Sequence, residues 1–304
     1  MVGSLTSGSA LAQDPDAGLD QALRAFRAGD KRHAVAVLEE VLTTHPDHAP
    51  SHELLGLALS ELGNSSEALR QLREAVRLWS DQPVYWTNLA IFYLRQSQTE
   101  DGEKALQRSL EVEPSPSAFR LMGLIRLEQH SDGEAVRFFT KALDLARDDV
   151  RSWYYLGLAQ QAIAHSEVAL RCYQEALKLA PGDFHTQMQM GAVLLTQGQR
   201  QQALVYLQAA RGIRPQNPEV YLRLSEAYLG IGDLQQALES ARYAAELVPK
   251  DRRAHYQLGL VLARLGNNDE SQKEFTISED LPKKREPTPL ERWRELGEVS
   301  PKGK

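Results

Sequence analysis

The sequence predicts an all-α chain organised as a helical solenoid, and three series of small residues predict it. Within its 304 residues, Ala22, Gly56, Ala90, Gly123, Gly157, Gly191, Ser225 and Gly259 recur at intervals of 34, with a single interval of 33. Ala34, Ala68, Gly102, Ala135, Ala169, Ala203, Ala237 and Ser271 keep step with them, as do Val41, Ala75, Ser109, Ala142, Ala176, Ala210, Ala244 and Ser278. Three series in phase over eight cycles mark a stacked supersecondary unit that buries its apolar face only against its neighbours.

Each cycle has the same internal order. An apolar-periodic stretch comes first, such as Val150 to Ala162, and a turn follows, with glycine at Gly29, Gly63, Gly198, Gly232 and Gly266. A second stretch comes next, such as Glu167 to Leu179, and then a break with proline at Pro46, Pro114, Pro181, Pro215 and Pro249. Glycine after one helix and proline beyond the next are stop signals. Apolar residues recur at three- and four-residue spacing and period-two alternation is absent, so both stretches read as helices and no strand is expected. Helices this short are marginal alone and need stacking. The small residues let the two helices of a pair cross closely, while Leu55, Leu89, Leu156, Leu224 and Leu258 fill the gaps between them. A large side chain at a small site should overpack the crossing, at a cost of about 1–3 kcal/mol or more.

The fifth cycle carries Trp153, Leu156, Gly157, Ala169, Tyr173, Ala176 and Pro181. This resembles the tetratricopeptide-repeat pattern. The third cycle matches it through Trp86, Leu89, Ala90, Tyr93 and Pro114, and the seventh through Tyr221, Leu224, Tyr228, Ala237, Ala244 and Pro249. The resemblance covers Pro15 to Asp280 as eight repeats, 15–48, 49–82, 83–115, 116–149, 150–183, 184–217, 218–251 and 252–280. The terminal repeats depart most, with Ala25 where tyrosine is typical and with Ser271 and Ser278 replacing alanine.

The resemblance implies a right-handed superhelix whose first helices line a concave groove, and a non-catalytic role in binding a protein or peptide. By the family's offsets the partner-binding positions are Thr87, Leu94, Arg95, Arg120, Leu127, Arg151, Tyr154, Gln161, Met188, Leu195, Leu222, Glu226, Leu229, Tyr256 and Arg264. That set is apolar in its middle with arginine around it, which suits an extended peptide or amphipathic helix with apolar anchors. Ile91, Leu124 and Leu158 share another offset and are expected to pack between adjacent first helices. Chaperone-binding members of the family begin their carboxylate clamp with a lysine; here that offset reads Leu19, Glu53, Thr87, Arg120, Tyr154, Met188, Leu222 and Tyr256, which argues against such a clamp.

Composition narrows the reading further. The net charge of −6 gives no electrostatic footprint for nucleic acid, and no apolar run approaches the ~18 residues of a membrane span. No cofactor, metal set or catalytic constellation is expected. His52-Glu53-Leu54-Leu55-Gly56 begins like a zinc-protease helix but has glycine where the second histidine belongs. His45 and His48 fall at a linker, and His52 occupies the position that Trp86 and Trp153 fill elsewhere. Cys172, the one cysteine, reads as a small buried hydrophobe.

The two ends differ in character from the repeats. Residues 1–14 read as a leader or a truncated signal-peptide remnant. Ser9-Ala10-Leu11-Ala12-Gln13 resembles a secretory cleavage site, although no Lys or Arg precedes Arg24. The expected placement is the bacterial periplasm or cell envelope, where the chain would act as an adaptor; the alternative is a cytoplasmic regulatory or assembly module for a separately encoded enzyme. In the polar tail 281–304, Thr288-Pro289-Leu290-Glu291 reads as a capping box with proline at the first helical position. It predicts a short helix near 289–297 with Leu290, Trp293 and Leu296 on one face. This helix is expected to shield the last repeat, with self-association or docking on another protein as the alternative.

Overall fold

The computed structural model describes residues 14–283, 285 and 287–295, and among them it contains seventeen α-helices and no strand. The chain forms two compact units, one of residues up to Glu128 together with those from Trp293, the other of Gln129–Arg292. The first unit holds α1 (Pro15–Arg27), α2 (Lys31–Thr44), α3 (Ala49–Glu61), α4 (Ser65–Leu78), α5 (Pro83–Arg95), α6 (Thr99–Val112) and α7 (Pro116–Glu128). The second holds α8 (Asp132–Leu145), α9 (Val150–Ala162), α10 (Ser166–Leu179), α11 (Phe184–Thr196), α12 (Arg200–Ile213), α13 (Pro218–Ile231), α14 (Leu234–Leu247), α15 (Arg252–Arg264) and α16 (Asn268–Asp280). The short α17 (Pro289–Glu295) has its first residues in the second unit and its last in the first.

Local chemistry sets the helix boundaries. Carboxylates and amides cap the first turns: Asp30 accepts from the His33 amide at 3.0 Å, and Asp183 from the Thr186 amide at 2.7 Å. Proline stands in the first turn of α1, α3, α5 and α13. The turn inside each repeat passes through the left-handed region. Five repeats use glycine there, but the three middle ones place Ser97, His130 and Ala164 at φ of 61°, 56° and 62°.

The small-residue series sits where the helices of a pair cross. A methyl group at Gly56 would lie 2.7 Å from the Leu72 side chain, one at Gly191 2.6 Å from Leu207, and one at Gly259 2.7 Å from Phe275. Gly157 lies directly beneath the Tyr173 ring. These separations are shorter than any ordinary carbon contact, so glycine is required by the large residue opposite. Where serine enters the series, its hydroxyl is satisfied across the pair. Ser225 donates to the Ala237 carbonyl at 2.9 Å and Ser271 to the Gly259 carbonyl at 2.8 Å. In the last repeat Ser278 likewise donates to the Arg252 carbonyl at 3.1 Å, so both of its departures from alanine are satisfied.

A second recurring device ties six of the repeats to the preceding linker. The ring nitrogens of His52, Trp86, Trp153 and His255, the Gln187 amide and the Tyr221 hydroxyl each bond the carbonyl six residues earlier, at 2.7–3.0 Å. The position therefore asks for a polar tip on a bulky body, and six of the repeats supply one. Within each unit the helices pack on their sequence neighbours, and first helices also pack on the next first helix, as α1 does on α3 and α13 on α15.

The tail departs from expectation. The capping box forms reciprocally: the Thr288 amide donates to Glu291 at 2.9 Å and the Glu291 amide to the Thr288 hydroxyl at 3.3 Å. The helix it starts does not end against the last repeat. Ile277 of α16 remains 40% exposed, while Arg294 donates to the Leu94 carbonyl of α5 at 2.8 Å. Leu296, the far end of the expected stripe, and Gly297, the last residue of the expected helix, lie outside the described residues, as do leader residues 1–13.

Candidate protein-interaction face

In the first unit the first-helix positions are mostly spent on the protein itself. Thr87 is buried; its hydroxyl bonds the Pro83 carbonyl at 3.1 Å and the Ser109 hydroxyl at 2.8 Å, so it joins α5 to α6 instead of facing a partner. Leu94 is fully buried against Gly102 of α6. Leu127 is buried, while Arg95 and Arg120 are half-buried. The neighbouring Glu53, between α3 and α5, accepts from the Asn88 side-chain amide. Burial pushes its carboxyl up to about 7, and the Asn88 bond offsets that only in part.

In the second unit the same face is aromatic and apolar. Tyr154 is buried with its ring 5.1 Å from that of Tyr155 and 6.1 Å from that of Tyr173, and its edge meets His185 at 6.5 Å. Burial pushes its hydroxyl up to about 12, so it is a neutral hydrogen-bonding group throughout the physiological range. Burial, then Arg214, holds His185 below the ordinary imidazole range. Met188, Leu195 and Leu222 are buried, and Leu229 is half-buried. Gln161 accepts from the Tyr173 hydroxyl at 2.9 Å, which gives it a place inside its own repeat. Arg151, Glu226, Tyr256 and Arg264 are exposed, Tyr256 at 52% with its ring 5.7 Å from that of Phe275. Leu124, at the packing offset, is fully buried, and Ile91 and Leu158 are half-buried.

The positions tested for chemistry have structural neighbours. His52 bridges Gln71 and the Pro46 carbonyl, and His48 pairs with Ser51 at 2.7 Å and Asp16 at 3.3 Å. Cys172 is buried, and burial pushes its thiol up to about 11, away from the thiolate that nucleophilic chemistry needs. No described helix is long and apolar enough to cross a membrane. Three residues that bear on the face escaped the sequence reading. His185 shares the offset of Arg151 and was within its reach; Arg292 and Arg294 were not, because nothing local says where a short helix docks.

Two family models described as tetratricopeptide repeat match the chain, one over residues 129–274 and the other over 19–83 and 87–150. The chain belongs to the tetratricopeptide repeat family, whose members mediate protein–protein interaction. Over 151 residues, 49% of this chain and 25% of the relative, it is 25% identical to the mitochondrial import receptor subunit TOM70 of Rattus norvegicus. It thus spans about a quarter of that relative's length. Among solved structures, MamA of Desulfovibrio magneticus RS-1 is 26% identical with a TM-score of 0.52, matching 55% of this chain and 94% of that one. The pilF protein of Pseudomonas aeruginosa shares the fold at 18% identity with a TM-score of 0.62, over 68% of this chain and 94% of that one.

Proposed function

We propose that this protein is a non-catalytic adaptor that holds a peptide or short helix of its partner on the first-helix face of α9, α11, α13 and α15. One observation carries the reading. Tyr154, Met188, Leu222 and Tyr256 stand at one offset in four successive repeats of a single unit and pass from buried to half exposed along it. A row of apolar side chains at a fixed interval is what a segment with regularly spaced anchors needs. Arg151, Glu226 and Arg264 add charge at its margins. Each well-buried anchor contributes roughly 1.5–3 kcal/mol before ordering costs. The likeness to a mitochondrial import receptor subunit agrees with a recognition role. Placement in a bacterial cell envelope rests on Ser9-Ala10-Leu11-Ala12-Gln13 alone, and cell fractionation with an antibody to the native protein tests it.

The experiment is affinity capture by the full chain beside its Tyr154→Ala/Met188→Ala variant, with helical content followed by circular dichroism. Capture of specific partners should fall at least about tenfold while the helix signal is kept, the loss of roughly 1.4 kcal/mol or more. Equal yield from a folded variant removes this face as the site.

A further inference from the structure

On its second-helix side the first unit carries an open cleft of about 760 Å³, lined by α4, α5 and α6. Its wall on α4 and α5 is apolar and aromatic. Val76 and Leu89 are buried, as is Tyr93, and Trp86 is half-buried. The Trp86 indole is held in place by its bond to the Ser80 carbonyl at 2.9 Å. The rim is basic along both second helices. Arg73 and Arg77 stand one turn apart on α4, and Lys104 and Arg108 one turn apart on α6. All four are exposed.

Two of these cations keep their charge unneutralised. The Tyr93 hydroxyl accepts from Arg73 Nε at 3.0 Å and from its Nη2 at 2.8 Å, which fixes the guanidinium without pairing it to a carboxylate. Among the described residues Lys104 has no ion-pair partner. Arg77 pairs with Glu74 at 2.6 Å and Arg108 with Glu111 at 2.7 Å, and both guanidiniums are more than half exposed. Such exposed pairs hold weakly and yield to a competing carboxylate. Asp101 and Glu111 are the acids of the lining, at the two ends of the row on α6. Four basic side chains thus face two acidic ones, in a chain of net charge −6. The repeat itself does not ask for this. At the corresponding positions of the fifth and sixth repeats, Gln174, Val205 and Ala209 stand for Arg73, Lys104 and Arg108. The cleft between α10 and α12 there is about 310 Å³.

We propose that this cleft is a second binding site, for an acidic peptide segment that lays one apolar side chain on the Trp86 wall and carries Asp or Glu on both sides of it. Two rows of cations flanking an apolar wall are complementary to carboxylates on either side of an apolar anchor. The guanidinium forks of Arg73 and Arg108 take carboxylates in bidentate fashion, and Arg73 is already ordered by Tyr93, so less freedom is lost on binding. A lone small anion would use one row and leave the apolar wall uncovered. The site does not depend on the first-helix face of the second unit.

The probe is a rhodamine-labelled peptide, Gly-Ser-Asp-Glu-Phe-Glu-Asp-Ser-Gly, titrated by anisotropy into the full chain at low salt, where screening is weak. Arg73→Gln/Lys104→Gln should weaken binding at least about tenfold. Lys178→Gln, which removes a cation from the corresponding helix of the fifth repeat, should leave binding within about twofold of wild type. A peptide with amides in place of its four carboxylates should not bind, and one with Gly for Phe should bind at least about fivefold more weakly. If the double variant loses helical signal, Lys104→Gln decides alone, with an expected loss of at least about threefold. Equal affinity of wild type and the cleft variants overturns the proposal, as does the absence of saturable binding to wild type. Equal binding of the Phe and Gly peptides, or their displacement by an equal concentration of inorganic phosphate, makes the cleft a bare anion site and also overturns it. The Tyr154→Ala/Met188→Ala chain should bind the peptide as wild type does. Loss of peptide binding by that chain alone would move the acidic segment to the first-helix face and overturn the second site.

Discussion

From the second repeat onward, after Leu19 in the first, one offset reads Glu53, Thr87 and Arg120 in the first unit and Tyr154, Met188, Leu222 and Tyr256 in the second. In the first unit these side chains are polar and partly enclosed. Thr87 bonds Ser109 and the Pro83 carbonyl, and Glu53 is held by Asn88. In the second they form an aromatic and apolar row that opens at Tyr256. The helix pairs beneath are alike, with Gly56 against Leu72 in one unit and Gly157 against Tyr173 in the other. The repeat frame is thus set by the crossing, and the first-helix face is left to vary. A polar face tied into its own helices is costly to desolvate for a partner, whereas an apolar row gains by being covered.

The largest expected effect falls on what the two units share. Gly157→Leu drives a side chain into the Tyr173 ring and Gly56→Leu one into Leu72. Each should lose about 3 kcal/mol of stability in urea unfolding, against almost none for Ser66→Leu at an exposed position on α4. A core variant with the midpoint of Ser66→Leu would break the claim that crossings set the frame.

The next effect separates the two units. Burial raises the Glu53 carboxyl to about 7 in the folded chain. The folded state therefore holds that proton more tightly than the unfolded one. The resulting stabilisation is complete below the ordinary carboxylate range and is lost as pH rises through about 7. Glu53→Gln keeps an acceptor for Asn88 without the buried charge. At pH 8 it should be more stable than wild type by about 1–2 kcal/mol, and at pH 4 about equal. Tyr154→Phe, by contrast, should shift stability by the same amount at every pH from 5 to 9, because the Tyr154 hydroxyl is pushed up to about 12. A pH-dependent difference for Tyr154→Phe in that range would erase the contrast.

The smallest effect concerns the turns. Ala164 sits at φ 62° and Ser97 at 61°, where a side chain costs roughly 1–2 kcal/mol. Ala164→Gly and Ser97→Gly should each stabilise by about 0.5–1 kcal/mol, since glycine's freedom in the unfolded chain takes back part of the gain. A loss on either substitution in thermal melts would mean that the side chain holds its turn in place.

The fold was legible because the crossing leaves a direct trace. A position that must be small every 34 residues is visible without any contact map. The polar tips at His52, Trp86 and Gln187 were less legible, since three unrelated residue types perform one hydrogen bond. The face was legible as an offset and not as a surface. Thr87 and Gln161 fall on inward positions, yet Ser109 and Tyr173 reach them first, and those partners lie 22 and 12 residues away. For the tail, the capping box specified a helix and its start. Its docking place was hidden, because Arg294 bonds a backbone carbonyl 200 residues away and a carbonyl has no residue signature.

The central claim is that the first helices of the second unit bind and the second helices support them. Hydrogen–deuterium exchange of the full chain, with and without its captured partner, tests it directly. Protection should appear in peptides from α9, α11, α13 and α15 around Tyr154, Met188, Leu222 and Tyr256. Protection confined to α10, α12 and α14, with the first helices unchanged, would contradict it.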